Sequence, residues 1–311
     1  MRNDTLNMEK TVKKVLVLVL DNKQYFYELI SRDVNMHSVY RELKPLEKLF
    51  LNKRGRFYNL VPFFLGKWVE ELNNAEHIIV FDSAYTTDVG KYIKHHAPKC
   101  KLILYFYNPI LAKYQKSYLS DKYIDEIWSF DRFNAEEYGL KFNSTFYSFK
   151  VLKTIHKKKK EHDVVYIGRD KSRDAVLMEI EEALKRSKCS YWFHVVKKES
   201  DYLNYNEYLS FVLSSKCILD ITQRGQSGLT MRSMESLFFE KKLITNNVDI
   251  ANYDFYNPNN VFIIGIDDYT NLHSFLCTPY NQVRKDIISK YDVMEWAKRF
   301  VDENNDKNSI E

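Results

Sequence analysis

Glycine and proline are scarce, eight and six among 311 residues, which excludes collagen-like and Pro/Gly-rich disordered chains. Cysteine is rarer. Cys100, Cys189, Cys217 and Cys277 lie far apart and form no C-x-x-C pair, so buried free thiols are expected, and neither a zinc site nor a disulfide framework. Long apolar runs are missing too: Val15 to Leu20 is among the longest, far short of the roughly 20 residues that span a bilayer. Met1-Arg2-Asn3-Asp4 leads into polar and acidic residues where a signal peptide would carry an apolar core, so the expected compartment is the cytoplasm. Helix-turn-helix, zinc-finger and RNP-like patterns are absent, and nucleic acid is not an expected partner.

What is present is a globular composition, 45% hydrophobic and 29% charged, at a length that predicts two domains of about 150 residues. Charge separates them. Residues 1–160 hold 28 Lys+Arg against 18 Asp+Glu, a net +10, whereas residues 161–311 hold 19 against 24, a net −5. A basic half favours an anionic partner: a phosphorylated glycan, an anionic membrane surface or nucleic acid.

Apolar β-rich runs recur at Val15–Leu20, Ile78–Phe81, Leu102–Tyr107 and Glu126–Phe130, with helix-length spacers, which predicts a mostly parallel sheet covered on both faces. The pattern restarts. Val164–Ile167, Tyr191–Val196, Cys217–Ile221, Leu243–Thr245 and Val261–Ile264 read as strands, with helices over Arg173–Lys185 and Met231–Glu240. The lysine-rich segment 153–160 is the natural linker, so residues 1–152 and 161–311 are the expected domains, the second ending in a helix striped by Val293, Trp296, Ala297 and Phe300.

Two segments of the second half carry candidate chemistry. In Val164-Val165-Tyr166-Ile167-Gly168-Arg169-Asp170-Lys171 a strand ends on two cations, where open α/β sheets bind ligands; Gly168 would permit a sharp turn, and Arg169 and Lys171 would donate to a diphosphate. The bland alternative is a solvated charged loop. In Gly225-Gln226-Ser227-Gly228-Leu229-Thr230, followed by a helix from Met231, a tight loop would aim helix N–H groups at an anion. Arg232 and Glu235, three apart, share a helix face, with Glu235 placed to accept ribose hydroxyls; an ordinary surface salt bridge is the alternative.

These two segments resemble the donor-binding domain of GT-B glycosyltransferases, and Asp220-Ile221-Thr222-Gln223, Leu229 through Glu235 and Lys241-Lys242-Leu243-Ile244-Thr245-Asn246 are similar to bacterial lipopolysaccharide-core rhamnosyltransferases. The resemblance implies an α/β GT-B fold of two doubly wound Rossmann-like domains facing an interdomain cleft. It gives Arg169 and Lys171 the diphosphate, Gly225 to Thr230 the phosphate loop, and Glu235 the ribose. Ser236 replaces the common small alanine and Gln226-Ser227 is unusual for the loop. The implied reaction transfers L-rhamnose from dTDP-L-rhamnose to an inner-core Kdo of anionic lipopolysaccharide, at the cytoplasmic face of the bacterial inner membrane. No D-x-D sequence occurs, so the mechanism is expected to be metal-independent and inverting, with fixed cations in the metal's role and no cofactor. A UDP- or GDP-sugar transferase for capsule or O-antigen, and a non-catalytic binder of anionic glycan or lipid, are the alternatives.

An inverting transfer needs a base on the acceptor side. Asp82, after Ile78-Ile79-Val80-Phe81, is the first choice and Asp21, after Val15 to Leu20, the second, each at a strand's carboxyl end; capping a turn is the common alternative use. Lys48, Lys53, Arg54 and Arg56 lead into an aromatic stretch ending at Trp68, a mixture suited either to an anionic membrane interface or to a core helix entered through Pro62 that buries Phe63, Phe64, Trp68 and Leu72.

Overall fold

The computed structural model describes residues 14–21, 25–31, 33–44, 47, 58–151, 162–169, 173–223 and 225–302. Lys171, the 153–160 linker, and Lys48, Lys53, Arg54 and Arg56 lie outside the described residues. By their internal contacts the described residues form two units, one from those within 1–144 and 293–302 and one from those within 145–292. Among the described residues no helix is long and apolar enough to cross a membrane.

In the first unit, β1 (Val15–Val19), β2 (Met36–Ser38), β3 (His77–Phe81), β4 (Lys101–Phe106), β5 (Glu126–Ser129) and β6 (Lys141–Phe142) make one sheet ordered β2-β1-β3-β4-β5-β6. Every pairing is parallel. Helices α1 (Tyr25–Ile30), α2 (Thr87–His96), α3 (Lys113–Tyr118) and α4 (Arg132–Tyr138) connect the strands. Parallel strands buried on both faces must be apolar throughout, and all five residues of β1 are buried. Leu16, Leu18, Ile78, Val80, Leu102 and Leu104 point to one face, where Trp68, Leu72, Val89 and Ile93 cover them. The helices begin where capping chemistry allows: the Thr86 side chain accepts from Val89 N, and that of Asp131 from Asn134 N. Gly139, at φ 64°, ends α4 in the left-handed conformation that glycine adopts without strain.

The helix expected beyond Pro62 is instead two 3-10 segments, Tyr58–Phe64 and Lys67–Asn74. Pro62 lies inside the first, where its missing N–H and its ring oppose an α-helical ladder. Trp68 and Leu72 are buried as a core helix would have them, and Trp68 Nε1 donates to Val39 O at 2.8 Å. Phe63, however, is 69% exposed.

In the second unit, β7 (His162–Arg169), β8 (Tyr191–Val196), β9 (Ser215–Asp220), β10 (Lys242–Thr245) and β11 (Val261–Ile263) form a parallel sheet ordered β11-β10-β9-β7-β8. Its helices are α5 (Asp174–Arg186), α6 (Tyr205–Leu213), α7 (Met231–Phe238), α8 (Leu272–Cys277) and α9 (Lys285–Lys290). Counted from its own first strand, this sheet runs 2-1-3-4-5, the order with which the first sheet also begins. Each unit is therefore a doubly wound α/β fold with a switch point between its first and third strands, where connections leave in opposite directions and ligands bind beyond the carboxyl ends.

The terminal helix α10 (Val293–Lys298) was expected in the second domain, but it packs in the first unit. Its aromatic stripe explains this. Trp296 lies 5.9 Å from Phe81 and 5.3 Å from Tyr105 between ring centroids, and Phe300 lies 4.8 Å from Trp128. These rings close the sheet face opposite Trp68 and Leu72. Asn143, whose Asn-Ser-Thr sequence has the form of a glycosylation signal, is fully buried there, its Nδ2 donating to Trp296 O at 3.1 Å.

Candidate functional site

The switch point of the second unit lies between β7 and β9, so Gly168 and Arg169 end one strand and Asp220 ends the other. Gly168 lies within the strand, with no turn at that position. A Cβ there would stand 2.7 Å from Tyr166 Oη and 2.8 Å from an Arg232 nitrogen, so the glycine makes room for two side chains. Arg169 is exposed at the strand tip and lies over the Tyr202 ring at 5.0 Å, a contact worth about 0.5–1 kcal/mol at an exposed position. Arg173 follows at the head of α5. It is 8% exposed, and its Nε has no hydrogen-bond partner among the described residues. A buried donor with no partner, here at the carboxyl end of a parallel sheet, is a candidate contact for an anion.

The loop after β9 is fixed from several sides. Gly225, at φ 81°, makes the turn that a residue with a side chain would resist. The carbonyls of Ser227, Gly228 and Leu229 accept from Asn247 Nδ2 at 2.8 Å, Gln226 Nε2 at 3.2 Å and Thr145 Oγ1 at 2.7 Å. The Leu229 side chain is buried. Thr230 caps α7, its Oγ1 accepting from Arg232 N and Ser233 N. Two of the amides expected to meet an anion are thereby satisfied, which leaves the helix dipole and the loop as the attractive elements.

Asp220, fully buried, ties these parts together. Its Oδ1 accepts from Arg232 Nη1 at 2.9 Å, and its Oδ2 from Thr230 Oγ1 at 2.7 Å and Ser233 Oγ at 3.1 Å. Arg232 also donates to Ile167 O through Nε and Nη2. Its guanidinium is thus committed to binding α7 to β7, and its pair is with Asp220, where the spacing had indicated Glu235. Removing one member of such a buried pair typically costs about 3–5 kcal/mol.

Glu235 is 1% exposed. Its Oε1 accepts from Tyr205 Oη at 3.1 Å, its Oε2 accepts from Tyr208 Oη, and Tyr205 Oη is in turn 2.7 Å from Tyr147 Oη. Burial raises the carboxyl to about 7, against the pull of the phenols and of Arg232. A sugar hydroxyl reaches it only if a phenol yields. These tyrosines and Asp220 escaped the sequence reading, although Tyr202, Tyr205 and Tyr208 recur at a spacing of three, which on α6 brings Tyr205 and Tyr208 to one face.

In the first unit the switch point falls between β1 and β3, the strands that lead into Asp21 and Asp82. The two carboxylates differ in access. Asp82 is 3% exposed and accepts from Tyr107 N at 3.0 Å, Asn108 Nδ2 at 3.2 Å and Gln115 Nε2 at 3.3 Å. Burial lifts its carboxyl above the ordinary value, and these hydrogen bonds pull it partly back. Asp21 is exposed. His95 and His96 end α2, which leads into the start of β4, and so lie toward the amino ends of the strands, away from the carboxyl ends that carry Asp21 and Asp82.

No protein-family model matches the chain, and no curated protein matches it. Among solved structures it is similar to sucrose-phosphate synthase from Thermosynechococcus elongatus, at 11% identity and a TM-score of 0.50, over 92% of this chain and 97% of that one. It is also similar to a glycosyltransferase from Rickettsia africae ESF-5, at 9% identity and a TM-score of 0.46, over 99% and 95%. At such identities the likeness is one of fold. Together with the two sheets it gives the chain the GT-B fold of two Rossmann-like domains.

Proposed function

We propose that the chain is a glycosyltransferase whose second unit holds a nucleotide-sugar and whose first unit holds the acceptor. One observation carries the reading: a single switch point gathers an exposed arginine, a buried arginine lacking a partner for its Nε, a fixed glycine loop and a glutamate held by hydroxyl donors. That set matches, in order, a diphosphate and a nucleoside sugar. Arg169 and Arg173, with Lys171, would take the diphosphate and stabilise the charge that grows on it as the anomeric carbon–oxygen bond breaks. The acceptor hydroxyl oxygen forms the new bond from the opposite face and gives its proton to a carboxylate. Asp21 has the access for that role. Asp82, enclosed by its hydrogen bonds, would position the loop beside it.

The finer reading rests on the resemblance described above: dTDP-L-rhamnose as donor, an inner-core Kdo of lipopolysaccharide as acceptor, an inverting and metal-independent displacement, and a peripheral position at the inner face of the inner membrane. The donor is tested by thermal stabilisation with dTDP-, UDP-, GDP- and CMP-sugars, because a ligand of the native state raises its apparent stability by mass action. Stabilisation by dTDP-rhamnose, followed by product formation on a Kdo-containing acceptor, is the expected result. Stabilisation by a UDP- or GDP-sugar alone moves the donor to another nucleotide, and binding of acceptor glycan without any nucleotide response makes the protein a glycan-binding module.

A further inference from the structure

The two phenols on Glu235 are not equivalent. Tyr205 Oη already has a second partner in Tyr147 Oη at 2.7 Å, so it can turn its proton to Tyr147 and release the carboxylate while remaining hydrogen-bonded. Tyr208 Oη has no second hydrogen-bond partner among the described residues. Releasing it strands a donor beside a nearly inaccessible carboxylate, and an unmade hydrogen bond of this kind is costly. Both rings are half-buried and lie almost parallel on α6, 13° apart, so they cover Glu235 as a pair while only one yields cheaply. A carboxylate has about four acceptor positions, but at 1% exposure none admits a hydroxyl until a phenol moves.

We propose that Tyr208 is a specificity-determining residue that leaves Glu235 one position for a sugar hydroxyl, with Tyr205 the exchangeable occupant. A 2′-deoxynucleoside diphosphate, whose sugar has a single 3′-hydroxyl, replaces Tyr205 and leaves Tyr208 in place. A ribonucleoside diphosphate brings a second hydroxyl with no acceptor, and burying it unpaired costs affinity. This inference rests on the second unit being the donor site.

The test compares thymidine 5′-diphosphate with 5-methyluridine 5′-diphosphate, which differ only in the 2′-hydroxyl, by calorimetric titration of the full chain. The wild-type protein should bind the deoxy compound about tenfold more tightly, the worth of roughly one unmade hydrogen bond. Tyr208→Phe should raise affinity for the ribo compound by a similar factor and leave the deoxy compound almost unchanged, whereas Tyr205→Phe should move both together. A general loosening of α6 would shift both ligands alike, so the ratio of affinities separates recognition from packing. Equal affinity in the wild type, or a Tyr208→Phe variant in which the ratio stays fixed, overturns the inference alone. Binding of neither diphosphate overturns it together with the donor-site reading.

Discussion

A buried donor without a partner costs stability, and Arg173, 8% exposed, carries one at Nε among the described residues. Arg173→Gln should therefore unfold at the same or a higher urea concentration than wild type while losing most stabilisation by nucleoside diphosphates; a loss of intrinsic stability with ligand response intact would make the residue structural. Glu235 gives a pH signature. Its carboxyl is raised from 4.5 to about 7, chiefly by burial, so between those values the folded state holds the proton more firmly than the unfolded one. Stability from this group is complete below about pH 4.5 and is lost as pH rises to about 7, roughly 3 kcal/mol at most. Urea unfolding of wild type and Glu235→Gln across that window should show the difference between them changing in this direction, and parallel curves would rule it out. For the base, Asp21→Asn should depress transfer by orders of magnitude with donor affinity preserved, and Asp82→Asn should lower both transfer and stability. If Asp82→Asn alone abolishes turnover in a fully stable protein, the assignment reverses.

Among the elements, α7 and α10 depend on different interactions. α7 is held at its start by Thr230 and Asp220, and Thr230→Ala should cost about 1–2 kcal/mol, a lost cap plus a lost hydrogen bond. α10 is held by aromatic packing, and Trp296→Ala should cost about 3–5 kcal/mol in the first unit, measurable by guanidinium unfolding. The long apolar strands were readable because their burial on both faces demands unbroken runs such as Val15 to Val19. β2 and β6, three and two residues long, are too short to show a period. The 3-10 segments around Pro62 and the home of α10 depend on tertiary contacts that periodicity does not encode. At the site, sequence located the glycine loop and Arg169 but not the Asp220 network or the tyrosine cover of Glu235, since these join positions 10 to 30 residues apart and side-chain partners at that separation leave no local pattern.

For the whole molecule, the net +10 over residues 1–160 favours anionic surfaces. Leu20, Phe63, Leu111 and Phe133 are exposed apolar side chains of the first unit. Sedimentation with anionic vesicles should fall as salt rises, because screening shortens the reach of surface charge; equal recovery with neutral vesicles would remove membrane charge from the account. The chain path also bears on how the protein is made. Because the described residues of 145–292 form their own unit and α10 returns to the first, the ribosome has synthesised all the described residues of the second unit before the first can be completed. The usual order of synthesis, with the N-terminal part finished first, is inverted. A nascent chain stalled with residue 292 just outside the exit tunnel should carry a protease-resistant second unit behind a first unit still open to cleavage, its aromatic face available to chaperones until Trp296 emerges.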